Sequence, residues 1–236
     1  MPTIRELHSW QLTARQAEKL QLDLAPRVCR EAKLSTPRLI AGADISAPNP
    51  SGIARAAVVI LTYPEFEIVE TKIAEGKPAF PYIPGLLSFR ESPLVLAAWQ
   101  KLSVTPDLLL VDGQGIAHPR RFGIASHLGL LLDIPAIGCA KSRLCGIHGQ
   151  VPPQAGSYAE LTDKGEVIGV ALRTKTDAAP VYVSIGHKVD LHSAIEWTIK
   201  CCRNYRLPEP SRLAHLAAGN KNLPVSQYVY KQRLFD

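Results

Sequence analysis

The sequence predicts an α/β fold, a mixed β-sheet covered by helices on both faces. Three observations predict it. Short runs such as residues 108–111 (LLLV) are wholly apolar, as strands buried on two faces must be. Segments of helical period separate them, and three strand-like segments follow one another near the start with short polar connections. With 236 residues, 46% hydrophobic and 20% charged, the chain has material for a large core, and one domain over residues 1–236 is expected.

The elements follow in order. Residues 14–31 carry leucines and alanines at helical spacing, with Pro26 predicting a break. Residues 38–44 (RLIAGAD), 53–61 (IARAAVVIL) and 66–74 (FEIVETKIA) read as strands, and their short connections favour an antiparallel meander. After the stiff segment 78–85, a helix is expected over 91–101, with Pro93 in its first turn. A strand at 108–111, a helix at 123–132 and a strand at 135–140 come next, followed by strands at 167–173 and 181–185 and a helix at 192–202. Residues 207–210 read as a Pro-rich tail, and the basic C-terminus beyond them is left without an assignment. Three strands, helix, strand, helix, strand suits a sheet whose first strand lies beside the fourth, the order of the ribonuclease H-like fold. No internal repeat or linker interrupts it.

Composition narrows the function classes. A formal charge of +6 favours a polyanionic partner, because Lys and Arg that neutralise phosphates release condensed counterions. Five cysteines without a CxxC pair predict neither a disulfide framework nor a zinc ribbon. The first ten residues lack the apolar run of a signal peptide, and no later stretch reaches the roughly 20 apolar residues of a membrane span. A soluble, cytoplasmic protein is expected.

The chemistry-bearing residues are acids at strand ends. Asp44 ends one apolar strand and Asp112 another, so neighbouring strands would bring the two carboxylates together. Like charges held close raise one another's pKa unless a cation lies between them, and oxygen ligands suit a hard ion such as Mg²⁺. Glu91, expected at a helix start, would supply a third carboxylate. Taken singly, each has a plain alternative: Asp112-Gly113 as a turn pair, Asp44 as a loop cap, Glu91 as a dipole partner.

Residues 113–121 (GQGIAHPRR) form a glycine-containing loop with a basic end, lacking the third glycine of a dinucleotide fingerprint and the Lys-Ser/Thr of a P-loop. His118 in that loop is a candidate for holding phosphate or an ion-bound water, or a surface histidine. Lys141 ends a strand where an ammonium could face the acids. His127 lies on an apolar helix and reads as a satisfied core histidine, while His187 and His192 carry no metal assignment. In residues 80–85 (FPYIPG), Tyr82 and Ile83 sit between two prolines. Such a stiff apolar loop can enter a base step, or it can fold onto the core.

Four blocks, AGADIS at 41–46, FPYIPGLLSFRE at 80–91, residues 111–146 from VDGQGIAHPRRFGIASH to AKSRLCG, and PEPSRLAH at 208–215, resemble the endonuclease V family, the deoxyinosine 3′ endonucleases. The resemblance spans nearly the whole chain. It implies a ribonuclease H-like fold and a Mg²⁺-dependent enzyme, with Mn²⁺ as a substitute. It also implies repair of deaminated adenine by a cut at the second phosphodiester bond 3′ to hypoxanthine, leaving 3′-hydroxyl and 5′-phosphate ends. Asp44 and Asp112 would be direct ligands, with Glu91 holding the ion mainly through water. Pro81, Tyr82, Ile83 and Pro84 would form a strand-separating wedge, His118 and Lys141 would flank the scissile phosphate, and His215 would take part. Arg120 and Arg121 are expected on DNA, and Gly85, Gly113, Gly115 and Gly138 are candidates for close backbone approach to the base. The expected partner is deoxyinosine-containing DNA, met by a monomer without membrane association. Inosine in RNA is the nearest rival substrate, and a non-catalytic nucleic-acid-binding module is the rival class.

Overall fold

The computed structural model describes residues 3–223; the basic C-terminal segment that received no assignment continues beyond them. In chain order the elements are α1 (Ala14–Leu24), β1 (Leu39–Ile45), β2 (Ala54–Thr62), β3 (Ile68–Gly76), α2 (Leu87–Trp99), β4 (Leu108–Val111), α3 (Ile124–Leu132), β5 (Ala136–Ala140), β6 (Tyr158–Asp163), β7 (Glu166–Leu172), β8 (Val181–His187), α4 (Leu191–Lys200) and α5 (Glu209–Ala218). The strands make one mixed sheet in the order β3-β2-β1-β4-β5-β8-β7-β6. β1, β4 and β5 run parallel to one another, while β2, β3 and the β6–β8 strands pair antiparallel. The expected meander and the first-beside-fourth order are both present.

Apolar strands are apolar because both their faces are covered. In β1 and β4, Ala41, Ala43, Leu109 and Val111 pack with Val95, Trp99 and Leu128 of α2 and α3. Their alternates Ile40, Leu108 and Leu110 pack on the opposite face with Ala194 and Trp197 of α4. The two-residue strand period therefore feeds two cores at once. On that second face, Ala57, Val59 and Leu61 of β2 meet Leu213, Ala214 and Ala217 of α5.

The break expected at Pro26 is present: α1 ends at Leu24, and a single 3₁₀ turn (Ala25–Arg27) takes the chain onward. Three expectations need correction. α2 begins at Leu87, so Pro93 lies inside the helix and Glu91 falls in its second turn. Packing sets that start: Leu86 and Phe89 bury against Phe80 and Ala17, and the Leu86 amide donates to the Ile83 carbonyl at 2.9 Å. Strand β6 went unread because it is polar and half-exposed, although its turn is legible: Lys164 and Gly165 take φ of 55° and 81°, as a two-residue hairpin loop requires. The segment read as a tail is helix α5, with Pro210 near its start and Leu213, Ala214, Ala217 and Ala218 buried.

Candidate active site

Asp44 and Asp112 stand where adjacent parallel strands end. β1 and β4 pair Ala43 with Val111, and the Asp112 amide donates to the Ala43 carbonyl at 3.2 Å. The next residue of each strand therefore delivers a carboxylate to one rim, with side chains only 10% and 9% exposed. Glu91 approaches from α2, partly buried. Burial first, then the charges of Asp44 and Asp112, push its carboxyl up to about 8. Asp44 is also raised, by burial and then by Asp112, against the lowering effect of a hydrogen bond from His215.

His215 arrives because α5 can lie almost on the sheet. A Cβ at Gly42 would fall 1.9 Å from the Pro210 carbonyl oxygen, so only glycine lets the start of α5 cross β1 so closely. His215 Nδ1 lies 2.7 Å from Asp44 Oδ2 and 3.3 Å from Lys141 Nζ. One nitrogen cannot donate to the first and accept from the second. The shorter contact to an anion places the proton on Nδ1, pointing at Asp44, and Lys141 then pairs with Asp112, whose Oδ2 it contacts closely.

Among the described residues, Asp44, Asp112 and His215 are the group of candidate donors whose ligand atoms all lie within 4.8 Å of one another. The third side chain closest to the two aspartates is thus His215, its protonated Nδ1 turned to Asp44; Glu91 is coupled to the two aspartates by charge. Two carboxylates at one rim beside an imidazole, with the charged forms of Asp44 and Glu91 disfavoured by burial and by neighbouring acids, fit a divalent cation, which would reverse that penalty. The expected metal centre is chemically coherent on these residues.

The acids line a cleft of ≈ 380 Å³ together with Tyr82, Ile83, Pro84, Gly85, Gly113 and Lys141. Tyr82 is 71% exposed and Pro81 is exposed beside it, while Ile83 is half-buried against Phe80 and Phe89. The tip of this loop therefore projects, and only its base rests on the core.

Other expected site residues sit differently. His118 is 3% exposed, with Nε2 donating to the Gly85 carbonyl at 2.9 Å and Nδ1 accepting from the Arg120 amide at 3.1 Å. Burial pushes its pKa down to about 4, so the ring is neutral at the cleft wall and both its nitrogens are engaged. Arg120 turns inward to Gln21 and Gly85. Arg121 is held by Glu166 and Asp163 beside the β6–β7 hairpin and does not line the cleft. Gly115 and Gly138 approach protein backbone: a Cβ would lie 2.0 Å from the Ile185 carbonyl oxygen in one case and 2.4 Å from the Gly115 nitrogen in the other. His127 is a core histidine as expected, though satisfied on one side only, with Nε2 2.7 Å from His8 Nε2 and Nδ1 unpartnered.

Gln21 also lines the cleft, and the sequence carries a signal for it. It is a polar residue on the apolar stripe Ala17, Gln21, Leu24 of α1, where a buried amide must have partners.

Comparison with known proteins identifies the family. A family model described as Endonuclease V matches residues 22–216. The Endonuclease V of Dehalococcoides mccartyi is 52% identical over 216 residues, covering 92% of this chain and 97% of that protein. The crystal structure of the Streptomyces avermitilis Endonuclease V superposes with a TM-score of 0.85 at 38% identity, covering 92% and 96% of the two chains. That of Ciona intestinalis Endonuclease V, in complex with a 24mer DNA containing an inosine followed by a ribo-adenosine, gives a TM-score of 0.73 at 28% identity, covering 86% and 94%.

Proposed function

The chain belongs to the endonuclease V family and is accordingly a nuclease, a phosphodiester hydrolase, and from that premise we propose that it initiates repair of deaminated adenine in DNA. Its substrate in this proposal is DNA containing deoxyinosine, and it nicks the second phosphodiester bond on the 3′ side of the lesion, leaving 3′-hydroxyl and 5′-phosphate ends. The observation that carries the proposal is the convergence of Asp44 and Asp112 at one rim, with Glu91 charge-coupled to both, in the same cleft as the projecting Tyr82. The Ciona intestinalis relative, solved with inosine-containing DNA, supports the choice of lesion.

The residues have distinct tasks in this proposal. Asp44 and Asp112, with Glu91 beside them, would hold a divalent cation, Mg²⁺ or in its place Mn²⁺, and His215 fixes the Asp44 carboxylate through its Nδ1–H. When bound, such an ion supplies Lewis-acid polarisation of a phosphoryl oxygen and activates water for in-line attack. Lys141 offers an ammonium for negative charge that grows on the phosphate. Tyr82 and its neighbours enter the duplex, and the displaced base is accepted in the cleft that Gly85 and Gly113 line. Hypoxanthine presents a carbonyl where adenine presents an amino group, so an amide donor in the pocket is matched by the first and left facing a second donor by the other. A weak inosine pair also opens at less cost than a sound one.

A second substrate has one observation in its favour: the DNA in the Ciona intestinalis complex carries a ribonucleotide directly after the inosine. Matched inosine strands of DNA and RNA separate the two by rate. The experiment that tests the proposal is incubation of an end-labelled inosine duplex with protein, with Mg²⁺ and with chelator. A nick at the expected bond that the chelator abolishes is the expected result; binding without a nick, or cutting indifferent to the chelator, overturns it.

A further inference from the structure

The loop 81–84 is a short span tied down at both ends. At one end, Arg90 Nη1 donates to the Phe80 carbonyl at 2.6 Å. At the other, the Gly85 carbonyl oxygen receives three donors: Gln21 Nε2 at 3.0 Å, His118 Nε2 at 2.9 Å and Arg120 Nη2 at 3.0 Å. A carbonyl oxygen has two lone pairs, so this one is held more tightly than ordinary satisfaction requires. The donors are also joined to one another. Gln21 Oε1 accepts from Arg120 Nε at 2.5 Å, and Gln21 Nε2 also donates to the Phe122 carbonyl at 2.8 Å. Gly85 itself has φ of 80°, a backbone state other residues avoid, and a Cβ there would press on Arg120 Nη2 at 2.9 Å.

This brace links three elements: α1 through Gln21, the loop after β4 through His118 and Arg120, and the approach to α2 through Gly85. Gln21 is its hub and is only 1% exposed. Its three contacts use both amide hydrogens and the carbonyl oxygen, so the side chain is fully committed.

We propose that Gln21, with Arg120 beside it, is a positioning residue for strand separation: the brace sets Tyr82 and Ile83 at their working height before DNA arrives, and Arg120 serves the loop rather than a phosphate. The proposal rests on the reading of residues 81–84 as a wedge. Its physical basis is pre-organisation, since a loop that must be ordered during binding forfeits affinity, and misplacement by about 1 Å can lower a rate by on the order of 10²-fold. Only a duplex has to be opened. A base in a single strand is already free of its partner, so loosening the brace acts on one substrate and spares the other.

The test uses the full chain with Gln21→Met, which keeps the apolar stripe and length while removing all three hydrogen bonds. kcat/KM is measured with Mg²⁺ on an inosine duplex and on the same inosine strand alone, alongside thermal unfolding. The expected result is about a tenfold loss on the duplex with single-strand cutting within about twofold of wild type. Equal loss on both substrates by a cooperatively folded protein overturns the proposal, as does no loss on either. Should Gln21→Met fail to fold, the partly exposed Arg120→Gln removes both the charge and the fork; the same split is expected, with an unchanged salt dependence of binding. A log–log salt slope reduced by about 0.9 would identify a lost phosphate contact and overturn the assignment of Arg120. Failure of the wider reading looks different: wild-type protein would cut neither inosine substrate, or Tyr82→Ala would leave the duplex rate untouched.

Discussion

Replacing Gly42 by alanine tests how the active site depends on packing behind it. The new Cβ would fall 1.9 Å from the Pro210 carbonyl oxygen, 2.2 Å from its carbon and 2.8 Å from the Ser211 nitrogen, all of them backbone that no rotamer change can move. Ordinary contact begins near 3.4 Å, so β1 and the start of α5 must separate by roughly 1.5 Å. Overpacking of this kind costs about 1–3 kcal/mol. At about 2–4 °C per kcal/mol for a chain of this size, Tm should fall by roughly 2–12 °C. The displaced helix carries His215, whose 2.7 Å bond to Asp44 orients that carboxylate, so nicking should fall by on the order of 10²-fold. Calorimetry and a single-turnover nicking assay read the two effects, with Gly149→Ala as control because nothing lies within 4 Å of its added Cβ. An unchanged Tm would mean the close crossing is misjudged. A lowered Tm with wild-type nicking would mean that α5 supports the fold and not the chemistry.

Three further outcomes are expected. Asp112→Asn should lower nicking by at least about 10²–10³-fold while inosine-duplex binding persists, because it removes an anionic ligand and leaves the pocket; wild-type rates in that variant would refute the assignment. Tyr82→Ala should weaken the preference for inosine over undamaged duplex, measured as the ratio of kcat/KM values, and an unaltered ratio would dismiss the wedge. His187, 4% exposed, has its pKa pushed down to about 4, by burial first and by Lys188 second. The unfolded state protonates it near 6.5, so the neutral ring contributes stability that is complete above about pH 6.5 and is lost as pH falls toward 4. Relative to His187→Asn, wild type should therefore lose up to roughly 3 kcal/mol between pH 6.5 and 4 by urea unfolding, and parallel profiles for the two proteins would contradict this.

Much of the site was legible because strand chemistry is local. An apolar run that stops at a carboxylate reads the same in the chain and in the sheet, and Asp44 and Asp112 do follow the last residues that pair β1 with β4. The proline-framed loop also announced its stiffness, and Tyr82 projects from it. Charge type was less informative. Arg120 and Arg121 form the most basic pair of the glycine loop, yet one braces Gly85 and the other is absorbed by Glu166 and Asp163. A guanidinium's sequence neighbours do not reveal whether an internal acid or carbonyl will reach it first.

By itself, the sequence determined the alternation of strands and helices, the two aspartates at strand ends and the family likeness, all of which depend on residue type and short-range period. Only the tertiary structure decided which residues serve them. His215 joins Asp44 from 171 residues away because Gly42 lets α5 cross β1, and Gln21 meets Gly85 from 64 residues away because α1 packs on the loop before α2. Such meetings are fixed by which backbones can approach, a property of folded surfaces that no local window of sequence contains.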